Sequence, residues 1–366
     1  IMVLAGLASV AAGTEGSGLQ ASPSPDQGIT ASDPVGAYKK PGTLLWKVET
    51  GGAVTASPAV VDGVAYFGSG DNHFYAVEIK TGNVLWKVET GGKIDSSAAV
   101  VDGAAYFGSG DHHLYALDLK TGNLLWKLET AGKIRFSPSV VDTNVVFFIS
   151  SSNIGHAVEA KSGRVIWKDT FGDWVRCPPV VMAQGVIYLM SERLEGNGGL
   201  YFYAVETITG DVLREKLLLT HNYALASAGA DNVAYFISRW GGVYFVETAF
   251  AHKMRFVEAP KFHPIAPAVA DGIAYFSADD GYLHAMRYVS EEGSLKPLGK
   301  VRTGNQVCSS LAVSDGVAYF GASDGRFSAV EVKSSRVCWE MAAGGAVTST
   351  PVVAGGGVYF GSPDGG

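Results

Sequence analysis

The stretch VVDGVAYFGSGDNHFYAVEIKTGNVLWKVETGG, Val60–Gly92, decides the fold, and it returns nearly unchanged as VVDGAAYFGSGDHHLYALDLKTGNLLWKLETAG, Val100–Gly132. Short runs of β-branched and aromatic residues are split by Asp-Gly, Gly-Ser-Gly-Asp and Lys-Thr-Gly-Asn. Each separator is a tight turn that needs positive φ, which Gly and Asn adopt at little cost. Apolar runs of this length between such turns read as strands, four to a unit. No stretch carries a helical period.

Working outward, the marker Tyr66 recurs as Tyr106, Phe147, Tyr188, Tyr235, Tyr275, Tyr319 and Tyr359, at intervals of 40, 41, 41, 47, 40, 44 and 40 residues. Trp46, Trp86 and Trp126 are spaced by 40, and Trp167 follows after 41. A fixed period over most of a chain means one repeat architecture. Four short strands per period predict an all-β, eight-bladed β-propeller of four-stranded antiparallel blades. The ends predict how it closes. Leu44–Glu49 reads as an extra outer strand, and Val347–Gly361 as the first two strands of a last unit. Pairing them closes the last blade with the N-terminal strand and removes two open edges. That C-terminal blade is expected to be incomplete, without its third strand.

Outside the repeats, residues 1–13 (IMVLAGLASVAAG) read as the remnant of a signal peptide or the end of a transmembrane helix. Residues 14–42, rich in Gly, Ser, Pro, Gln and Asp, read as a flexible linker. The propeller then spans 43–366. Composition agrees with that division. Of 366 residues 47 are Gly and 11% are aromatic, which excludes a disordered chain. The net charge is −7 with no basic block, so no nucleic-acid partner is expected. The three cysteines, Cys177, Cys308 and Cys338, form no disulfide framework. Cys308 and Cys338 fall on the inner and outer strands of one blade, about 14 Å apart, too far to bridge. All three are expected to be buried thiols.

AVEIKTGNVLW (Ala76 to Trp86) resembles the tryptophan-docking motif of the PQQ-like, quinoprotein alcohol dehydrogenase-like propeller family. ALDLKTGNLLW (Ala116 to Trp126) matches it fully. AVEAKSGRVIW (Ala157 to Trp167) and AVEVKSSRVCW (Ala329 to Trp339) match with changes, and AVETITGDVLR puts Arg214 at the Trp position. A Trp ending the outer strand can lie flat between blades on a small Ala and a bare Gly peptide next door, contributing about 2–3 kcal/mol from area alone. The structural docking set is therefore Trp46, Ala76, Gly82, Trp86, Ala116, Gly122, Trp126, Ala157, Gly163, Trp167, Ala329 and Trp339.

Connections into each inner strand and turns between second and third strands share one face, which the resemblance makes the functional one. Its turns carry Asp71, Asp111, Asp280, Asp324 and Asp364. Each stands alone, without the alternating oxygen ligands of a calcium loop, and reads as a turn former. His112 and His113 are neighbours whose side chains diverge along a strand, so they do not chelate. GASDG (Gly321 to Gly325) spells a hydrolase string, but no helix follows it. No metal site and no catalytic residue is expected. The repeat decays between Phe171 and Lys300, leaving Trp174, Arg176, Arg193, Glu195, His221, Tyr223, Arg239, Trp240 and His263 on that face. Exposed Trp and Arg beside the irregular loop SERLEGNGG (Ser191 to Gly199) suit a partner-binding surface.

In size and repeat number the chain is closest to the propeller lipoprotein family of the outer-membrane β-barrel assembly machinery. A Leu at position 7 stands where that family's lipidated Cys would be. The resemblance implies an exported, periplasmic or envelope-associated, monomeric scaffold without a cofactor. It would bind envelope proteins, and reach a membrane only through a missing N-terminal anchor or a partner. One alternative is a PQQ- and calcium-dependent alcohol or sugar dehydrogenase, where the cofactor would do the oxidation. The vicinal Cys pair of many such enzymes is absent here. Another is the extracytoplasmic sensor domain of a receptor kinase.

Overall fold

The computed structural model describes Met2–Gly6 and residues 41–362, except 142–143, 176–177, 179, 183–184, 195–198, 219–223, 231–232, 239–241, 248–252, 258–264, 279, 290–291, 293 and 304–305. None of the described residues is helical, so no helix among them is long and apolar enough to cross a membrane.

The first repeat folds into one antiparallel sheet of Ala59–Val61, Val64–Gly68, His73–Glu78 and Val84–Glu89. Asp62 (φ 48°) and Gly63 (φ 78°) both take left-handed backbone in the turn between its first two strands. Two consecutive positive φ values match the twist of an antiparallel pair, which is why Asp-Gly recurs there. Inside the sheet Ala76 lies opposite both Tyr66 and Trp86. The rings of Tyr66 and Trp86 then meet with centroids 5.8 Å apart over the small side chain.

Seven sheets are built in this way from strands consecutive in sequence, their inner strands starting at Ala59, Ala99, Ser139, Val180, Ala224, Ala268 and Ala312. We number these blades 1 to 7. A further sheet joins the two ends of the chain in the order Leu44–Val48, Met2–Gly6, Gly357–Gly361, Val352–Ala354. Inner strands touch in sequence from blade 1 to blade 7, then Val352–Ala354, which touches Ala59–Val61. The expectation for the closing blade is corrected in one respect: its third position is filled, by Met2–Gly6. Leu4 pairs with both Tyr359 and Trp46, the register that Ala76 holds in blade 1. The reason is a row of unpaired peptide groups between Leu44–Val48 and Gly357–Gly361, which any apolar extended segment can satisfy.

Aromatic layers fill the spaces between blades. Phe74 of blade 1 stacks on Phe107 of blade 2 (centroids 4.1 Å, planes 5° apart), and Phe327 of blade 7 stacks on Phe360 of the closing sheet at 3.9 Å. Trp46, Trp86, Trp126 and Trp167 each donate Nε1–H across the boundary, to Ile79 O, Leu119 O, Ala160 O and Thr207 O. Each ring lies on a glycine three residues beyond that carbonyl: Gly82, Gly122, Gly163 and Gly210. Gly42 takes the same position under Trp339. Ala76, Ala116, Ala157 and Ala329 are fully buried.

Candidate functional site: the face bearing the inner-strand connections

The Asp turns on this face are tied into the fold. The Asp71 carboxylate accepts from Gly51 N (2.8 Å), Tyr75 Oη (2.7 Å) and His73 N (3.0 Å). Asp111 repeats the pattern with Gly91 N, Tyr115 Oη and His113 N. Burial pushes both carboxyls up, but the hydrogen bonds outweigh it and hold them below the ordinary carboxylate value. A folded-state value below the unfolded one stabilises above the unfolded value and is lost as pH falls through the folded one. Stability to thermal unfolding is thus expected to fall below about pH 4. Asp71→Asn and Asp111→Asn should each be less stable at pH 7 and flatter in acid. A pH profile of the double variant as steep as the parent's would dismiss these two groups as its cause.

Of the other turn carboxylates, Asp280 holds His284 Nε2 at 3.0 Å, and Asp324 faces Arg326 Nε at 3.3 Å. Asp364 lies outside the described residues. His112 occupies a left-handed turn position (φ 74°), while the His113 ring lies 3.0 Å from Asp111 O. Among the described residues no three His, Cys, Asp or Glu side chains converge on a point that could hold a metal ion. Cys308 and Cys338 are free thiols and half-buried, which corrects the expectation of buried ones. Cys308 lies in a connection, and its Sγ–H points at Val347 O (3.1 Å), so it saturates an inter-blade carbonyl. Cys177 is outside the described residues.

At the boundary of blades 3 and 4 the connection runs differently. Phe171 is buried, and Gly172 (φ 61°) turns the chain so that Trp174–Val175 adds as a strand beside Ser191–Glu192. A side chain at Gly172 would collide with Ser191 Oγ and Glu192 O. Asp173 then clamps the hairpin: its N–H donates to Glu192 O (2.7 Å) and its Oδ2 accepts from Leu194 N (2.6 Å). Asn153 of blade 3 completes the clamp, bonding Asp173 O and accepting from Val175 N. The result is a braced ledge that leaves Trp174 48% and Leu194 63% exposed. Arg193 pairs with Glu215 (2.8 Å) and lies over the Tyr201 ring, 4.5 Å from its centroid. Exposed Trp and large apolar side chains, and an Arg over an aromatic ring, are the residue types that contribute most at protein interfaces.

Of the predicted partner-binding residues, Trp174 and Arg193 lie among the described ones, but Trp174 pairs with Glu192, so Arg193 one residue on points to the opposite face of the sheet and the two do not form one patch. Arg176, Glu195, His221, Tyr223, Arg239, Trp240 and His263 lie outside the described residues. Leu194 was not among the predicted residues, although its place in an insertion after a strand was a usable signal.

Residues 13–216 match a family model described as outer membrane protein assembly factor BamB. No curated protein matches the chain. Among solved structures, BamB from Moraxella catarrhalis superimposes with TM-score 0.67 at 14% identity, over 86% of this chain and 99% of that one. The computationally designed Ika8 protein gives 0.70 at 16% identity, over 87% and 95%. A europium-containing methanol dehydrogenase gives 0.68 at 15% identity, over 85% and 82%. At these identities the superpositions show the shared propeller fold.

Proposed function

We propose, since the chain belongs to the family described as outer membrane protein assembly factor BamB, that it is a non-catalytic, extracytoplasmic scaffold that binds protein partners in outer-membrane protein assembly. The composite sheet then serves as the eighth blade and closes the ring. The observation that carries the binding function is the braced hairpin that holds Trp174 and Leu194 exposed. Among the described residues Trp174 is the only exposed tryptophan, and an exposed aromatic of that size suits an interface anchor.

The double variant Trp174→Ala/Leu194→Ala is expected to reduce capture of the other assembly-machinery subunits at least about tenfold, as removal of interface anchors does. Its melting temperature should fall by no more than a few degrees, because about half of the Trp174 surface and more of Leu194 already face solvent. Unchanged capture, or a large drop in stability, overturns the assignment.

The methanol dehydrogenase superposition keeps a quinone-dependent oxidation as the second reading. Thermal unfolding with excess PQQ and calcium separates the two. A ligand at 100 times its dissociation constant adds about 2.7 kcal/mol, and an upward shift of that size would favour the dehydrogenase.

A further inference from the structure

Next to the ledge on the same face, a groove of about 490 Å³ opens over blades 1 to 3, lined by Asn72, Gly91, Gly92, Lys93, Asp95, Gly110, Lys133, Ile134 and Arg135. Its charged wall is three cations against one carboxylate, in a chain whose net charge is −7. Lys93, Lys133 and Arg135 make no ion pair or side-chain hydrogen bond among the described residues. The nearby carboxylate of Asp111 is engaged by Gly91 N and Tyr115 Oη, and Asp95 accepts from Thr55. The floor is bare peptide, because a side chain on Gly92 would meet the Asp111 backbone nitrogen at 2.6 Å.

The fold does not ask for these cations. The same backbone bond, from the following turn to the connection, is accepted by Ala53, Lys93, Lys133 and Gln306 in different blades. Alanine and glutamine serve there equally well, so cations at two successive boundaries have another use. Trp174 follows Lys133 at the next boundary, before the buried or half-buried Ile134 and Val175 respectively. Cationic groove and apolar ledge are therefore consecutive segments of one surface.

We propose that this groove binds the carboxylates of an acidic, extended segment of the partner protein. The inference rests on the scaffold reading and names the chemistry of what is bound. Asp95 in the wall and the chain's overall negative charge favour a short acidic peptide over a polyanion such as nucleic acid.

The test is fluorescence anisotropy of the full chain with a labelled twelve-residue Gly-Ser-Glu peptide, beside the same peptide with Gln for Glu. The Glu peptide should bind and the Gln peptide should not, with affinity falling as salt rises. Lys93→Ala/Lys133→Ala/Arg135→Ala should weaken binding at least about tenfold with an unchanged circular dichroism spectrum. Lys80→Ala/Lys120→Ala, away from the groove, should leave it intact. Equal binding of both peptides, full affinity in the triple variant, or tighter binding of a DNA oligonucleotide or anionic vesicles through the same residues would each overturn the proposal. Failure here with loss of capture in Trp174→Ala/Leu194→Ala removes the groove and keeps the scaffold. The converse keeps the groove and removes the ledge.

Discussion

Phe107→Ala is expected to lower the free energy of unfolding by about 3–5 kcal/mol, the range for deleting a buried aromatic side chain. Phe107 is fully buried between Phe74 of the preceding blade, at 4.1 Å, and Tyr115 of its own, at 5.5 Å. Its ring is therefore both a core residue of blade 2 and the cement of the boundary with blade 1. The surrounding strands are tied by ladder hydrogen bonds and cannot collapse into the space, so the cavity persists. Repeats of this kind contact only their neighbours, so the loss should also broaden the transition as blades uncouple. Urea titration followed by tryptophan fluorescence reads both effects. Leu124→Ala is the companion control, since Leu124 is 51% exposed and its loss should change stability by about 0.5 kcal/mol or less. A loss below about 1 kcal/mol for Phe107→Ala would mean that the boundary is not held by stacked rings.

How much of this was legible depends on what each residue does. Asp62-Gly63 and its copies announce their turns because two positive φ values in succession leave few residue choices. Trp86 announces a blade boundary because only an inter-blade contact explains a large aromatic on an outer strand. Gly210 was hidden although it docks Trp167, because its own unit has Arg214 in place of Trp. The motif written along one repeat is assembled from two, Trp from one blade and Gly from the next. Met2–Gly6 could not be told from a signal remnant, since five apolar residues read alike as either. The groove was missed for a different reason. Lys93, Lys133 and Arg135 are single charges dispersed along the chain, and only the superposition of repeats stacks them side by side. Comparing Ala53, Lys93 and Lys133 at one repeat position was the signal available.

Gly122→Ala should cost about 2–4 kcal/mol, against about 1–2 kcal/mol for Gly103→Ala. Both glycines have left-handed backbone, with φ of 73° and 75°, so both substitutions carry the same conformational penalty. What differs is the neighbour. A Cβ on Gly103 would meet nothing within 4 Å, whereas on Gly122 it would lie 2.8 Å from Cδ2 and 2.9 Å from Cε3 of Trp86. The indole cannot retreat without losing its hydrogen bond to Leu119 O (3.2 Å) and its contact with Tyr66. The difference between the two variants, measured by urea unfolding under one set of conditions, thus isolates the docking contact from backbone strain. Equal losses would show that the tryptophan rests on glycine without depending on it, and inter-blade stability would then lie with the phenylalanine stacks alone. A second substitution, Trp86→Phe, should relieve part of the loss in Gly122→Ala by withdrawing the larger ring. That rescue distinguishes steric docking from a turn that merely resists alanine.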